Sequence, residues 1–357
     1  MKLGFVGLPT SGKTTVFQTL IGGAASAEHH GPTAARIASV KVPDERLDFL
    51  QQSFHPKKVT HAAIDLVDIP GIISETGREE NARVLASLRE ADALIHVVRL
   101  FENDAAPHPR QSIAPKRDIE EIESEMAFAD LAIAEARIEK LVVSVRKPTP
   151  EQEHEKKELE VLTRCRQALE NGAKLINLGL SGQEQKLLSS FCFLTLKPEV
   201  ILLNIGEDRI GDDSVCKSVE SPGGEVIAMC AQVEMEIAAL DNDEDRRTFL
   251  AEMHITEPAG DKLKSAAYRA LKVATFFTTA SDELRAWTIR EGDDAVTAAG
   301  KIHTDIARGF VRAEVVSIDD LKALGSMKEA KAKGKLRLEG KNYVVQDGDV
   351  ILFRFSK

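Results

Sequence analysis

The stretch Gly7-Leu8-Pro9-Thr10-Ser11-Gly12-Lys13-Thr14 decides the fold, because it fits the phosphate-loop pattern G-x-x-x-x-G-K-[ST]. It follows an apolar run, Leu3–Val6, that predicts a buried strand, and it opens a predicted helix, Thr14–Leu20. The glycines let the backbone curl so that its amide hydrogens face phosphate oxygens. A chance match in a chain of this length occurs on the order of one per cent of the time. The stretch therefore predicts a P-loop nucleotide site.

Each position in this loop has an expected role. Lys13 should reach the β- and γ-phosphates, which makes it a catalytic as well as a binding candidate, and the Thr14 hydroxyl should ligate Mg²⁺. The remaining nucleotide-binding candidates are their neighbours in the loop and the first helical turn, namely Gly7, Pro9, Thr10, Ser11, Gly12 and Thr15.

Further apolar runs predict the sheet around this loop. They alternate with helical patterns, and each is apolar throughout, which is typical of βαβ units with a parallel sheet covered on both faces. The runs are Ile64–Asp68, Ala93–Val98, Val200–Leu203 and Val226–Met229.

A D-x-x-G motif, Asp68-Ile69-Pro70-Gly71, closes the first of these runs, Ile64–Asp68. Asp68 at the strand end is expected to hold Mg²⁺ through water, and the Gly71 amide is expected to contact the γ-phosphate, which makes Gly71 a catalytic candidate. Switch-type GTPases often carry Gln at the next position to orient water, whereas this chain has Ile72. Thr33, in a polar loop, is a candidate for a second Mg²⁺ or γ-phosphate contact, and the alternative is an ordinary loop threonine.

Base recognition should follow a later strand. Guanine-specific switches carry N-K-x-D there, but this chain has Asn204-Ile205-Gly206-Glu207. Ile205 replaces the lysine and Glu207 replaces the shorter aspartate, so guanine specificity is in doubt. Asn204, Ile205 and Glu207 are base-site candidates, and Cys230 and Ala231 would form the opposite wall.

Two regions differ in their sequence pattern from the alternating strands and helices of the α/β part. Ile119–Val145 and Glu151–Glu170 are helical runs separated by a Pro-rich break, which predicts an inserted antiparallel hairpin; long helices of the main domain are the alternative. From Thr279 onward short strand-like pieces alternate with Gly-rich turns and predict a small β-rich domain. These pieces are Ala286–Ile289, Glu314–Ser317, Lys335–Leu338, Tyr343–Val345 and Val350–Phe355. The predicted domains are 1–118 with 197–278, 119–196, and 279–357.

Composition limits the classes of protein that the chain can be. With 357 residues it is too long for one ordinary core, and its net charge of −10 argues against a uniformly basic nucleic-acid binder. No apolar run approaches the roughly 20 residues of a membrane span, so a cytoplasmic protein without a membrane partner is expected. The four cysteines have no metal-binding or redox spacing, so buried single thiols are expected.

The C-terminal segment has a local basic excess. Residues 300–357 contain 12 Lys and Arg against 8 Asp and Glu. Such a cluster suits contact with phosphates, and the alternative is a solvated lysine-rich face. Six of the cations are close in sequence: Lys328, Lys331, Lys333, Lys335, Arg337 and Lys341.

Taken together, these motifs resemble the YchF-type (Obg-like ATPase) branch of the Obg family of P-loop NTPases, nearly end to end. The resemblance implies an α/β P-loop NTPase domain with a parallel-sheet core, an inserted antiparallel helical hairpin and a C-terminal ubiquitin-like (β-grasp) TGS domain. It also implies ATP preference over GTP and association with a ribosome or ribosomal subunit. Supporting stretches are Asp68–Gly71, His96–Arg99 leading to Phe101–Asp104, and Asn204–Glu207. The most specific stretches lie in the C-terminal third: Arg285–Ile289, Ile302–Asp305, Arg308–Phe310 and Gln346–Val350.

Three features mark the chain as a diverged member. Thr10 stands where the family usually has the Asn expected to support a potassium ion, so potassium dependence is open. The stretch after Gly71 is shorter than in the family. His108 lies where the family carries a histidine suspected of assisting hydrolysis, and it is a catalytic candidate; a solvated loop histidine is the alternative.

Three functions fit these observations. The first is a slow ATPase that uses Mg²⁺ and works with the ribosome, expected as a monomer although nothing in the sequence fixes the oligomeric state. The second is a nucleotide-binding protein with negligible turnover, and the third is a GTP-binding switch.

Overall fold

The computed structural model describes residues 1–22, 36–72, 78–212, 214–219, 224–240, 242–253, 255, 257–280 and 282–356. They form two compact units, residues 1–40 with 65–270 and residues 41–64 with 271–357. Within those ranges no helix has both the length and the apolar character that a membrane span requires.

The secondary structure follows the chain in this order. The strands are β1 (Lys2–Val6), β2 (Arg36–Lys41), β3 (Lys58–Thr60), β4 (Ala63–Asp68), β5 (Ala93–Leu100), β6 (Glu199–Ile205), β7 (Glu225–Met229), β8 (Val273–Ala280), β9 (Glu283–Arg290), β10 (Phe310–Ser317), β11 (Arg337–Glu339) and β12 (Asp349–Phe355). The helices are α1 (Lys13–Ile21), α2 (Glu45–Phe54), α3 (Arg78–Leu88), α4 (Pro115–Ser144), α5 (Gln152–Glu170), α6 (Gly182–Leu188), α7 (Ser214–Lys217), α8 (Ala231–Ala238), α9 (Asp243–Glu252), α10 (Ala259–Ala270), α11 (Ala295–Ile302), α12 (Thr304–Arg308), α13 (Ile318–Leu324) and α14 (Met327–Ala332).

The first unit is built on a sheet with the order β2-β4-β1-β5-β6-β7. β1 pairs in parallel with β4 and with β5, and β5, β6 and β7 continue the parallel arrangement. Every residue of β5 is buried, including His96 and Arg99, as expected of a parallel strand that is covered on both faces. The predicted parallel sheet is confirmed.

Helices cover both faces of this sheet. Val6 lies in an apolar cluster with Leu85 of α3 and Ile122 of α4. Side chains alternate along a strand, so the neighbouring Phe5 points to the opposite face, where its ring meets Phe17 of α1 with 6.0 Å between centroids. The phosphate loop therefore leaves the middle of the sheet between two packed layers.

α4 and α5 form the predicted hairpin. Arg137 of α4 pairs with Glu158 of α5 at 2.7 Å, and Ser144, farther along α4, bonds to Glu155, which comes earlier in α5. The partners run in opposite directions, so the helices are antiparallel. A core of buried apolar side chains joins them, and it includes Ala134, Ile138, Leu141, Val161, Leu162, Cys165 and Leu169.

A buried carboxylate fixes the base of the hairpin to the sheet domain. Asp130 of α4 is fully buried. It accepts hydrogen bonds from the Leu194 amide at 3.0 Å, the Thr195 amide at 2.8 Å and the Thr195 hydroxyl at 2.9 Å. Arg89, directly after α3, pairs with it at 2.7 Å. One side chain thus holds three segments together.

The second unit contains a mixed sheet with the order β11-β10-β12-β8-β9-β3. β8 and β9 are antiparallel, as are β10 and β12, whereas β12 pairs with β8 in parallel. α11 packs on the sheet, with Ala295, Ala298 and Ala299 in one cluster with Phe276 and Ile289. This arrangement is consistent with the β-grasp fold that the resemblance implies.

The second unit recruits an earlier segment of the chain. It begins at Leu271 rather than at Thr279, because β8 forms a hairpin with β9, and it also contains residues 41–64. β3 pairs in parallel with β9, and Arg46 of α2 pairs with Asp347 at 2.6 Å.

One predicted strand is wrong. Tyr343–Val345 forms only an isolated bridge, between Val344 and Asp294. The Tyr343 hydroxyl donates instead to Asp349 at 2.7 Å, and the Gln346 amide donates to the same carboxylate at 2.9 Å. These bonds close a tight turn before β12, which the alternating side chains alone did not distinguish from a strand.

Asp130→Ala is expected to lower the free energy of unfolding by about 3–5 kcal/mol, because it leaves two buried amides without their acceptor and removes the ion pair with Arg89. Chemical denaturation followed by circular dichroism measures the change. Glu120→Ala, on the exposed side of α4, is the matched control and should stay within about 0.5 kcal/mol of the parent chain. Equal losses in both variants would show that Asp130 has no special role.

Candidate nucleotide-binding site

The phosphate loop connects β1 to α1 in a conformation that its glycines make accessible. Gly7 has φ 150° and Gly12 has φ 90°, values that residues with a Cβ rarely adopt. A Cβ on Gly7 would lie 2.3 Å from the Val97 carbonyl oxygen, and one on Gly12 would lie 2.1 Å from Nδ2 of Asn204. Any side chain at either position would therefore deform the loop.

Lys13 lies inside this loop. Its side chain is buried, and Nζ donates to the carbonyl oxygens of Gly7 at 3.1 Å and Leu8 at 2.7 Å. Burial lowers the pKa of Lys13 to about 8, although the charge of Asp68 opposes the shift. The ammonium is thus desolvated and positioned where an anion would stabilise it.

Thr14 and Asp68 form the candidate metal site. The Thr14 hydroxyl donates to Asp68 Oδ2 at 2.9 Å, and Asp68 Oδ1 is buried without a hydrogen-bond partner among the described residues. Burial raises the pKa of Asp68, with the Thr14 bond and the Lys13 charge opposing it. A hydroxyl beside a carboxylate with a spare oxygen fits Mg²⁺, whose charge would stabilise bound phosphates. Thr33, the other predicted ligand, lies outside the described residues.

The segment after β4 packs directly on the phosphate loop. A Cβ on Gly71 would lie 2.6 Å from the Pro9 nitrogen, so this approach requires glycine. The Ile72 amide donates to the Gly7 carbonyl at 3.2 Å, and the Ile72 side chain is fully buried in the apolar cluster around α3. Gly71 is therefore beside the loop, whereas Ile72 faces the core rather than a site for water.

Asn204 joins the phosphate loop to the start of α8. Its Nδ2 donates to the Ser11 carbonyl at 3.0 Å, and its Oδ1 accepts from the Ala231 amide at 3.1 Å. The two predicted walls of the base site are therefore brought together. Ile205 and Cys230 are buried in one apolar cluster, whereas Glu207 is exposed at the start of a short 3₁₀ turn.

His108 is placed differently from the solvated loop residue that was the alternative. It is buried, its Nδ1 accepts from the Arg110 amide at 3.1 Å, and its Nε2 lies 3.0 Å from Asp118 Oδ2. This network assigns the proton to Nε2. Both ring nitrogens are thus engaged, so in this conformation His108 supports the start of α4, and its catalytic role stays a prediction.

Arg99 is a residue to which the sequence motifs assigned no role. It lies in β5, is buried, and donates to Thr10 of the phosphate loop. The signal in the sequence was a charged residue within an otherwise buried apolar strand, since buried charges are rare without a purpose.

The structure thus assembles most of the predicted nucleotide site in one place. The loop Gly7–Thr14 meets Asp68, Gly71 and Asn204, while Thr15 continues the first turn of α1. This arrangement offers amides, one ammonium and a hydroxyl–carboxylate pair to a polyphosphate. The individual roles stay predictions.

Binding of a nucleoside triphosphate is expected to take up a proton above pH 8. Free Lys13 loses its proton as the pH rises through about 8, whereas bound phosphates favour the ammonium, so affinity should fall as the pH rises further. Calorimetry in two buffers of different ionisation enthalpy measures the uptake. Lys13→Arg, which stays charged, is the control and should show none. The same uptake in both proteins would assign the proton to another group.

Comparison with known proteins agrees with this architecture. A family described as "50S ribosome-binding GTPase" matches residues 2–168, and YchF-GTPase_C, described as "Protein of unknown function", matches residues 273–356. The chain is 40% identical over 364 residues to "Ribosome-binding ATPase YchF" of Bacillus subtilis (strain 168), covering 99% of this chain and 98% of the relative. It is 38% identical over 363 residues to the protein of the same name in Haemophilus ducreyi, covering 99% of each.

A solved structure shares the fold over the whole chain. The YchF GTPase of Schizosaccharomyces pombe superposes with a TM-score of 0.84 at 28% identity, covering 99% of this chain and 97% of that one. Similarity to the curated relatives extends over nearly every residue, and the phosphate loop and the C-terminal unit both fall within it. The chain therefore belongs to the YchF (Obg-like ATPase) family of P-loop NTPases.

Proposed function

We propose that the chain is an Mg²⁺-dependent ATPase with slow intrinsic turnover that prefers ATP to GTP and associates with the ribosome. The observation that carries the proposal is the phosphate loop, where Lys13 is buried and Thr14 meets Asp68 at 2.9 Å. The names of the B. subtilis and H. ducreyi relatives support both ATP hydrolysis and ribosome binding.

The base loop supports the preference for ATP. In the N-K-x-D motif the lysine packs along the phosphate loop, whereas Ile205 is buried in an apolar cluster with Cys230. Glu207 is exposed and has a longer side chain than the aspartate that pairs with guanine. The chain thus lacks the lysine of that motif and changes the geometry of its carboxylate.

The position of Ile72 supports slow turnover. Its side chain is fully buried and aliphatic, so it can neither reach nor polarise an attacking water. His108, the other candidate, has both nitrogens bonded within the protein. Fast hydrolysis would therefore need a rearrangement or a group from a partner.

A GTP-dependent switch is the second candidate, because the S. pombe relative is described as a GTPase. Competition between ATP and GTP, combined with single-turnover hydrolysis of each, separates the two. We expect GTP to bind about tenfold or more weakly, since a mismatched carboxylate loses charged hydrogen bonds. We also expect ATP turnover below about 1 s⁻¹ without a partner. Displacement of ATP by tenfold less GTP would reverse the base assignment, and fast unassisted turnover would refute the assignment of Ile72.

Association with the ribosome is proposed to use the C-terminal unit. The lysines Lys328, Lys331 and Lys333 are exposed and form no ion pair with any residue that the structure describes. Lys335 instead pairs with Asp320 at 3.1 Å, and Arg337 lies 3.4 Å from Glu339. The three lysines on and beside α14, with the exposed Lys341, are therefore available to contact RNA phosphates.

Charge reversal of Lys328, Lys331 and Lys333 to Glu is expected to weaken co-sedimentation with ribosomal particles and to flatten its salt dependence, because fewer counterions are released. ATP affinity should not change. Lys301→Glu, an exposed lysine of α11, is the control for net charge. Ribosome binding that is equally strong in the triple variant would place the contact elsewhere. Point changes are preferable to deleting residues 279–357, because such a deletion removes the partner of β8 and β3.

A further inference from the structure

Arg99 is a buried cation beside the phosphate loop. It is 2% exposed and lies near the end of β5, where every residue is buried. Among the residues that the structure describes, Arg99 forms no ion pair. Burial lowers the pKa of Arg99 and the charge of exposed Glu102 opposes the shift at longer range. Burying a charge is costly unless it is paired, so this guanidinium needs an explanation.

Its contacts are with neutral groups at the phosphate loop and the loop after β5. Nη1 donates to Thr10 Oγ1 at 3.1 Å and to the Ala106 carbonyl at 2.7 Å, and Nε donates to the Phe101 carbonyl at 3.0 Å. The guanidinium also lies over the Phe101 ring, 4.5 Å from its centroid. These bonds satisfy the donors but leave the positive charge without an opposite charge.

Thr10 links this cation to the site. It adopts a left-handed conformation with φ 58°, which is unfavourable for a threonine, and the Arg99 donor holds its hydroxyl there. Thr10 is part of the loop whose amides and Lys13 are arranged for a polyphosphate. A polyphosphate bound in this loop would therefore bring negative charge to the loop that the guanidinium contacts.

We propose that Arg99 is a positioning residue for the nucleotide: it fixes Thr10 and adds to Lys13 a second fixed positive charge that favours polyphosphate in the loop. This inference rests on the proposed function, since it requires the loop to bind a nucleotide. Because the effect is electrostatic, its size should follow the charge of the ligand. Arg99 should therefore increase the affinity for ATP most, for ADP less and for AMP least.

Affinities of ATP, ADP and AMP for the full chain with Arg99→Gln and Arg99→Lys test this. We expect Arg99→Gln to weaken the affinity for ATP on the order of tenfold, the affinity for ADP less and that for AMP little. Arg99→Lys should recover much of the lost affinity, because it keeps the positive charge. Arg166→Gln, which removes one positive charge from the hairpin helix α5, is the control and should leave all three affinities unchanged. Equal weakening of ATP and AMP, or equal losses with Lys and Gln, would show that Arg99 only supports the fold.

A second measurement covers a Gln variant that fails to fold. A buried lysine titrates at lower pH than an arginine, so ATP affinity in Arg99→Lys should fall more steeply above pH 8 than in the parent chain. Identical pH profiles would overturn the proposal. If the parent chain binds no nucleotide at all, the proposed function fails. If the parent chain binds nucleotides with affinities that do not depend on the charge at residue 99, only this inference is refuted.

Discussion

The side-chain amide of Asn204 holds the phosphate loop against the start of α8, and we expect the nucleotide site to depend on this bridge. Its Nδ2 donates to the Ser11 carbonyl and its Oδ1 accepts from the Ala231 amide, so one buried group contacts both walls of the predicted base site. The same amide comes so close to Gly12 that no other residue fits there. The glycines of the loop are therefore needed both for their backbone angles and for the approach of neighbouring elements.

Buried charged side chains likewise connect the hairpin to the sheet. Asp130 accepts hydrogen bonds from the amides of Leu194 and Thr195, and it pairs with the guanidinium of Arg89, which follows α3. Nearby, Lys174 joins Glu199 of β6 to Glu123 of α4. Burial alone would raise the pKa of Glu199, but the bond from His96 and the charge of Lys174 outweigh it and lower that pKa to about 2. The base of the hairpin is thus attached to the sheet by paired charges, whereas Arg99 forms no ion pair with any residue in the described part of the chain.

Local patterns predicted the features that depend on neighbouring residues. The phosphate loop follows from its own glycines and lysine, the parallel strands from apolar runs, and the hairpin from two helical patterns around a proline break. These signals are contained in short stretches, so no knowledge of distant contacts was needed.

Features that depend on distant partners were not predicted. β3 has only three residues, and it pairs with β9, which lies more than two hundred positions later in the chain. No local pattern in residues 41–64 therefore predicts that they belong to the C-terminal unit. Tyr343–Val345 has the alternating pattern of a strand, but the Tyr343 hydroxyl and the Gln346 amide both donate to Asp349 and form a turn instead. The burial of His108 against Asp118 likewise depends on how the loop after β5 folds back on α4.

The most direct measurement of the central claim is a calorimetric titration of Mg-ATP into the parent chain and into Lys13→Ala. We expect saturable binding by the parent chain and a severe loss of affinity in the variant, because Lys13 neutralises phosphate charge. The thermal unfolding profile should be the same in both proteins, because the fold does not depend on Lys13. Unchanged affinity in Lys13→Ala would contradict the assignment of Gly7–Thr14 as the phosphate-binding loop.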